Sequence, residues 1–224
     1  MIFYPVCLDI KGKKCVVVGG GRVALRKVQG LLECEASVTV VSPDLHVDLA
    51  ALLVQGEIVW HQKKYTPEEI EGAFLVIAAT NNQQAQEEVF SEAGRLNILL
   101  NVADVPEKCN FILPARVQRG SLSIAISTGG KSPALAKKLR TELESEFDEK
   151  YAILNDIMGI IRPDVIRRNL PQKENELIFS TILESEILRY ISEKNAGAVI
   201  DLVGQCIGQQ VAGETYEAIR QRLS

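Results

Sequence analysis

The sequence predicts an α/β fold: a parallel sheet wound with helices, then a small αβ segment and a helical C-terminal module. Three observations carry this. Aliphatic runs alternate with helical patterns through the first half of the chain. The apolar content is mostly Val, Ile, Leu and Ala, with aromatics at only 5%, which suits strands buried on both faces. A glycine-rich turn joins the first aliphatic run to the first helical pattern.

Taken in order, Lys14–Val18 reads as the first strand, and Arg22–Glu33 as a helix with Val23, Leu25, Val28, Leu31 and Leu32 apolar. Ser37–Val41 is the second strand, and a helix is expected over Asp44–Val54. Glu57–Trp60 is a short third strand and Phe74–Ala79 a buried fourth. A helix from Gln83 to Gly94 and a fifth strand at Ile98–Val102 complete the half. Strands alternating with helices imply right-handed crossovers and a parallel sheet.

The pattern then changes. Phe111–Leu113 and Leu122–Ile126 read as strands on either side of Arg119-Gly120. Ser132 and Pro133 open a helix as N-cap and first residue, positions each favours. Almost everything beyond is helical, with breaks expected at Arg162-Pro163 and Leu170-Pro171. The expected division is residues 1–113 for the wound sheet, 114–150 for the αβ segment and 151–224 for the helical module.

Composition narrows the partners. The chain has 224 residues, 46% hydrophobic and 24% charged, with a net charge of −4. That balance offers no general attraction for nucleic acid or an anionic membrane, so an anionic ligand needs local basic groups. No stretch approaches the roughly 18 apolar residues of a membrane span, and the first residues lack the basic-then-apolar order of a secretory signal. The five cysteines are scattered without CxxC spacing. They fit reduced thiols and a cytoplasmic location better than a disulfide framework or a zinc site. No metal site is expected.

Gly19, Gly21 and Ala24 form a GxGxxA turn that leaves a strand and enters a helix. The first glycine permits the tight turn, the second lets backbone approach a pyrophosphate, and the alanine keeps helix and sheet close. In this context the motif predicts a Rossmann-type dinucleotide-binding domain. The acid that usually binds the ribose is displaced: strand two ends Ser42-Pro43-Asp44. Asp44 either reaches the ribose or caps the next helix. No arginine follows strand two to accept a 2′-phosphate, which favours NAD over NADP.

Ligands of such sheets bind beyond the carboxyl ends of the strands. Strand four presents Thr80 and Asn81 there, and strand five presents Asn101 and Asp104. The asparagines suit the nicotinamide amide, or else close Asx turns. Asp104 is the acid best placed to take a proton as a hydride leaves a neighbouring carbon, or else it starts an Asp-Val-Pro turn. Arg116, Arg119 and Lys131 are basic residues available to an anionic substrate, and each alone also reads as a surface charge.

Four segments occur together in order: Val18-Gly-Gly-Gly-Arg-Val-Ala-Leu-Arg-Lys27, Ile77-Ala-Ala-Thr-Asn81, Asn101-Val-Ala-Asp104 and Ile126-Ser-Thr-Gly-Gly-Lys-Ser-Pro-Ala134. With them the chain resembles the precorrin-2 dehydrogenase module, found alone or at the N-terminus of siroheme synthases. The resemblance is strong over residues 1–145 and vague beyond. It implies oxidation of precorrin-2 to sirohydrochlorin with NAD as hydride acceptor. It also implies cofactor contacts at Arg22-Val23 and Pro43-Asp44, and a catalytic aspartate at Asp104. The Ser127-Thr128-Gly129-Gly130 loop is expected near the active site, with threonine where some members carry a phosphorylated serine. The resemblance further implies a homodimer formed through residues 114–150. Some members also insert ferrous iron into sirohydrochlorin, a second activity the sequence leaves open. The methyltransferase module of the longest members is not expected, and precorrin-2 is then expected to come from another protein. The competing reading is an NAD-responsive regulatory dimer without catalysis, since the fold alone does not decide function.

Overall fold

The computed structural model describes residues 3–208 and 212–223. The chain divides into two compact units, Met1–Leu113 and Pro114–Ser224.

In the first unit, β1 (Lys14–Val18), β2 (Ser37–Ser42), β3 (Ile58–Gln62), β4 (Leu75–Ala78) and β5 (Leu99–Val102) form one parallel sheet in the order β3-β2-β1-β4-β5. The helices are α1 (Arg22–Leu32), α2 (Val47–Val54) and α3 (Gln83–Leu96). Side chains alternate along each strand, so the sheet feeds two cores. Cys15 and Val17 join Val38, Val40, Leu75 and Ile77 under Ala24, Leu25 and Val28 of α1. Val16 and Val18 join Val41, Val76, Leu100 and Val102 on the face where Val89 and Ala93 of α3 lie. The aliphatic runs read as strands are thus buried on both sides, as a doubly wound sheet requires.

The strand order reverses between β1 and β4. A Rossmann sheet opens its ligand crevice at that reversal, outside the carboxyl ends of the strands.

In the second unit, β6 (Ala115–Arg119) and β7 (Leu122–Ile126) form an antiparallel hairpin. Its two-residue loop begins at Gly120, which has φ +54°, the geometry a glycine supplies in tight hairpins. Then follow α4 (Pro133–Glu146), α5 (Glu149–Arg167), α6 (Gln172–Leu183), α7 (Ile187–Ser192), α8 (Ala196–Ile207) and α9 (Gly213–Leu223). Leu154, Ile157, Ile161 and Val165 recur at helical spacing along α5 and pack with Ile182, Ile191, Val203 and Ile219. The expected boundary near residue 150 falls inside this unit. There α5 begins at Glu149, and Asn155 Nδ2 donates to Ser121 Oγ of the hairpin loop at 2.8 Å.

Two expectations are corrected. Phe111–Leu113 is not a strand, and the partner of β7 is Ala115–Arg119. The edge of β5 is met instead by a side chain: Asn110 Oδ1 accepts from Leu100 N at 2.7 Å and its Nδ2 donates to Ile98 O at 2.9 Å. The chain therefore passes β5 without forming a ladder. Nor does Pro163 break a helix, since α5 runs through it to Arg167. A proline here removes one bond, to the carbonyl of Gly159, at a usual cost of about 3 kcal/mol. The fully buried Ile157, Ile161 and Val165 on either side offset that loss.

Candidate functional site

The glycine turn is built by close approach. A Cβ on Gly19, whose φ is +120°, would lie 2.2 Å from Ala79 O. A Cβ on Gly20 would lie 1.9 Å from Asp44 O and 2.6 Å from Ser42 Oγ. The turn is therefore wedged between the ends of β4 and β2, and only glycine fits at these two positions. Gly21 differs, because a Cβ there would meet nothing. The protein itself does not demand a glycine at 21, so the open space lies where a ligand's pyrophosphate approaches the backbone.

Gly21 is the N-cap of α1, and no side chain caps the helix. The first intrahelical donor to find a partner is Leu25 N, bound to Gly21 O at 3.0 Å. The amides of the first turn thus face outward, and such a helix start attracts an anion. These features fit a dinucleotide at the turn.

Ser42, at the end of β2, is buried and internally engaged. Its hydroxyl donates to Asp44 O at 2.8 Å, and Trp60 Nε1 donates to Ser42 O and Oγ at 3.0 and 3.2 Å. It shapes the loop on which Pro43 and Asp44 stand exposed. Asp44 does not cap α2: the cap is His46, whose Nδ1 accepts from Asp48 N at 3.3 Å.

A cavity of about 250 Å³ lies beyond the reversal point, lined by residues including Val23, Ala79, Thr80, Asn81, Ala103 and Asp104. It draws together the first turn of α1 and the segments after β4 and β5. Thr80 Oγ1 accepts from Asn82 N, and Thr80 O accepts from Gln86 Nε2 at 2.7 Å. Asn82, not Asn81, caps α3 by accepting from Ala85 N. Asn81 is exposed at the cavity, and no hydrogen bond engages its side chain among the described residues.

Asp104 lines the same cavity in a left-handed conformation, φ +62°. Such backbone is uncommon for residues other than glycine, asparagine and aspartate. Its carboxylate is exposed and makes no hydrogen bond or ion pair among the described residues. The turn is fixed from behind by Cys109, whose Sγ accepts from Val102 N at 3.2 Å and lies 3.4 Å from Val105 O. Asn101 stands apart from the cavity: its Nδ2 donates to Phe111 O at 3.2 Å and approaches Cys109 Sγ at 3.6 Å. The sequence leaves that amide to the nicotinamide or to an Asx turn; in the fold it meets the returning chain.

In the second unit, Ser127, Thr128, Gly129, Gly130 and Lys131 form the loop before α4. Gly129 and Gly130 have φ of +61° and +79°. Ser127 Oγ accepts from Gly129 N, and Thr128 Oγ1 exchanges bonds with Ser132 N and O, each at 3.2 Å. Lys131 is exposed, as is Arg116 on β6. Arg119 is turned inward on its own unit, donating to Glu144 O near the end of α4 at 2.9 Å. There a cation also complements the helix dipole.

Sequence reasoning missed Gly20, Cys109 and Asn110. The extra glycine in the middle of the Gly19–Gly21 run was the only visible signal for Gly20. The other two depend on the chain returning past β5.

The wound sheet, its glycine turn and the cavity at the reversal define a dinucleotide-binding Rossmann protein. A family model described as "Putative NAD(P)-binding" matches residues 6–115, and one described as "Sirohaem biosynthesis protein central" matches residues 119–146. The siroheme synthase of Nitrosococcus oceani is 35% identical over 221 residues, 96% of this chain and 47% of that protein. That of Methylobacillus flagellatus is 38% identical over 215 residues, 95% of this chain and 46% of that protein. Among solved structures, SirC, a precorrin-2 dehydrogenase, superposes with a TM-score of 0.74 at 29% identity, covering 91% of this chain and 98% of that one. The chain belongs to the family of siroheme synthase N-terminal modules and precorrin-2 dehydrogenases. It spans about half the length of the curated siroheme synthases it matches. Among the described residues no helix is long and apolar enough to cross a membrane.

Proposed function

We propose that this chain catalyses the NAD-dependent dehydrogenation of precorrin-2 to sirohydrochlorin as a cytoplasmic homodimer. The observation that carries the reading is Asp104: a carboxylate unpaired among the described residues, held in left-handed backbone, lining the cavity that Val23 and Thr80 share. SirC, similar over nearly its whole length, is a precorrin-2 dehydrogenase.

Gly19, Gly20 and the first turn of α1 hold the pyrophosphate, with Gly21, Arg22 and Val23 nearest to it. Pro43 and Asp44 border the adenosine ribose, where an exposed acid and no following arginine favour NAD. Thr80 and Asn81 flank the nicotinamide. The bound nicotinamide supplies the acceptor for a hydride. Asp104 takes the proton that leaves the macrocycle as that C–H bond breaks, so the substrate loses two hydrogens and gains conjugation. The rest of the work is orientation, which lowers barriers by proximity.

We assign Arg116, Arg119, Lys131 and the Ser127–Gly130 loop to the anionic macrocycle; the Arg119 guanidinium also serves α4. Dimerisation through residues 114–150 is supported by α4 and β7, neither of which has a fully buried residue in the single chain.

Anaerobic absorbance of the purified chain with precorrin-2 and NAD tests the reading. A sirohydrochlorin spectrum that appears only with NAD supports it. Adding ferrous iron as substrate then reads a second activity, as a siroheme spectrum forming faster than without protein. NAD binding with no oxidation returns the chain to the sensing class.

A further inference from the structure

The cavity at the reversal point holds an anchored amide with no assigned role. Gln86 stands in the first turn of α3, half-buried, and lines the cavity together with Thr80, Asn81 and Asp104. Its Nε2 donates to Thr80 O at 2.7 Å. A carbonyl only accepts, so this contact fixes which way round the amide lies, with the nitrogen toward Thr80 and Oε1 turned from it. Oε1 accepts no hydrogen bond among the described residues. Asn81 and Gln83 also line the cavity, but both are exposed, and neither side chain is engaged among the described residues. Gln86 is thus the amide that the fold itself has set as an acceptor.

A set acceptor calls for a donor. The N–H groups of a tetrapyrrole point into its ring, whereas the carboxamide NH2 of a nicotinamide projects from the ring's edge. Because the bond to Thr80 O already holds the Gln86 amide, little side-chain freedom is left to lose on binding. We propose that Gln86 accepts a hydrogen bond from the nicotinamide carboxamide and so fixes the rotation of that ring in the cavity Asp104 lines. This deepens the dehydrogenase reading above and rests on it for the place of the nicotinamide.

An altered cofactor tests this without turnover. In 3-acetylpyridine adenine dinucleotide the carbonyl stays and a methyl group replaces the NH2, so the donor alone is lost. Calorimetric titration with this analogue and with NAD gives the ratio of their dissociation constants. In the wild type the analogue leaves Oε1 facing a methyl group, a loss that Gln86→Met removes. The preference for NAD is therefore expected to be about tenfold smaller in Gln86→Met than in the wild type. Methionine matches glutamine in length and helix propensity, and Gln86→Ala repeats the test with the side chain removed. A purely structural role would weaken both dinucleotides alike, and a ratio unchanged in these variants overturns the proposal. A ratio that falls in Asn81→Ala and not in Gln86→Met also overturns it, since the carboxamide then belongs to Asn81. If the wild type binds NAD but oxidises no precorrin-2, the dehydrogenase reading fails alone and the ratio still decides the role of Gln86.

Discussion

Cys109 Sγ sits 3.2 Å from the backbone nitrogen of Val102 and reaches back to Val105 O at 3.4 Å, closing the turn that carries Asp104. A thiol is a weak partner, but here it answers the backbone amide of the last residue of β5, where a missing acceptor is expensive. Replacing Cys109 with alanine is expected to cost about 1–2 kcal/mol in denaturant unfolding. It should also lower kcat more than NAD affinity, because the base loses its fixed position. Equal kcat in variant and wild type would show that the turn holds without the sulfur.

Asp104 itself gives the sharpest pair of variants. Asparagine tolerates left-handed backbone, whereas alanine there is strained by about 1–2 kcal/mol. Asp104→Asn should therefore keep wild-type stability and NAD affinity while losing about a hundredfold to ten-thousandfold in kcat. Asp104→Ala should lose the same activity and also some stability. Full turnover by the asparagine variant would make the residue a turn former only.

The three glycines of the turn are expected to fail differently. Gly19→Ala and Gly20→Ala press a Cβ against the carbonyls of Ala79 and Asp44. Each should destabilise the first unit by about 1–3 kcal/mol, as overpacking does. Gly21→Ala meets no protein atom, so it should unfold like the wild type yet bind NAD at least tenfold more weakly, a loss of about 1.4 kcal/mol. Calorimetric titration with NAD checks this, and an undiminished affinity would place the pyrophosphate elsewhere.

Much of this site was legible in the sequence, because the glycine spacing, the β-branched runs and the order of the strands all reflect local backbone needs. Less legible was any residue whose role depends on the chain folding back. Asn101 stands on a strand that ends at the crevice, where an amide suits either the cofactor or an Asx turn. The passage of residues 109–111 beside β5 takes it instead. Gly20 occupies a variable position of the motif, and its need for no side chain follows from the path of Ser42 to Asp44. Pro163 signals a helix end locally, yet the core on both sides of it carries the helix through.

One ion cluster sets a stability limit in acid. Glu69 is buried with His61 Nδ1 at 2.5 Å from its Oε2 and Lys63 on its Oε1. Burial alone would raise its carboxyl, but hydrogen bonds from Lys63 and His61 hold it below the ordinary range. A depressed acid stabilises the fold above its unfolded pKa, about 4.3, and that contribution is lost as pH falls through the folded value. Glu69→Gln should thus be less stable than wild type by about 2 kcal/mol at neutral pH. The gap should close in acid below the folded value. A gap that stays constant across that range would mean that the charge contributes nothing.

The central claim is that this chain moves a hydride from a tetrapyrrole to NAD with Asp104 as the base. Its most direct test is the stoichiometry of NADH formed per precorrin-2 consumed, measured anaerobically for the wild type and Asp104→Asn side by side. The account predicts equal amounts of NADH and sirohydrochlorin from the wild type, and neither above background from the variant. NADH formation by both proteins alike would remove Asp104 from the chemistry. None from the wild type, with NAD or NADP, would contradict the enzyme itself.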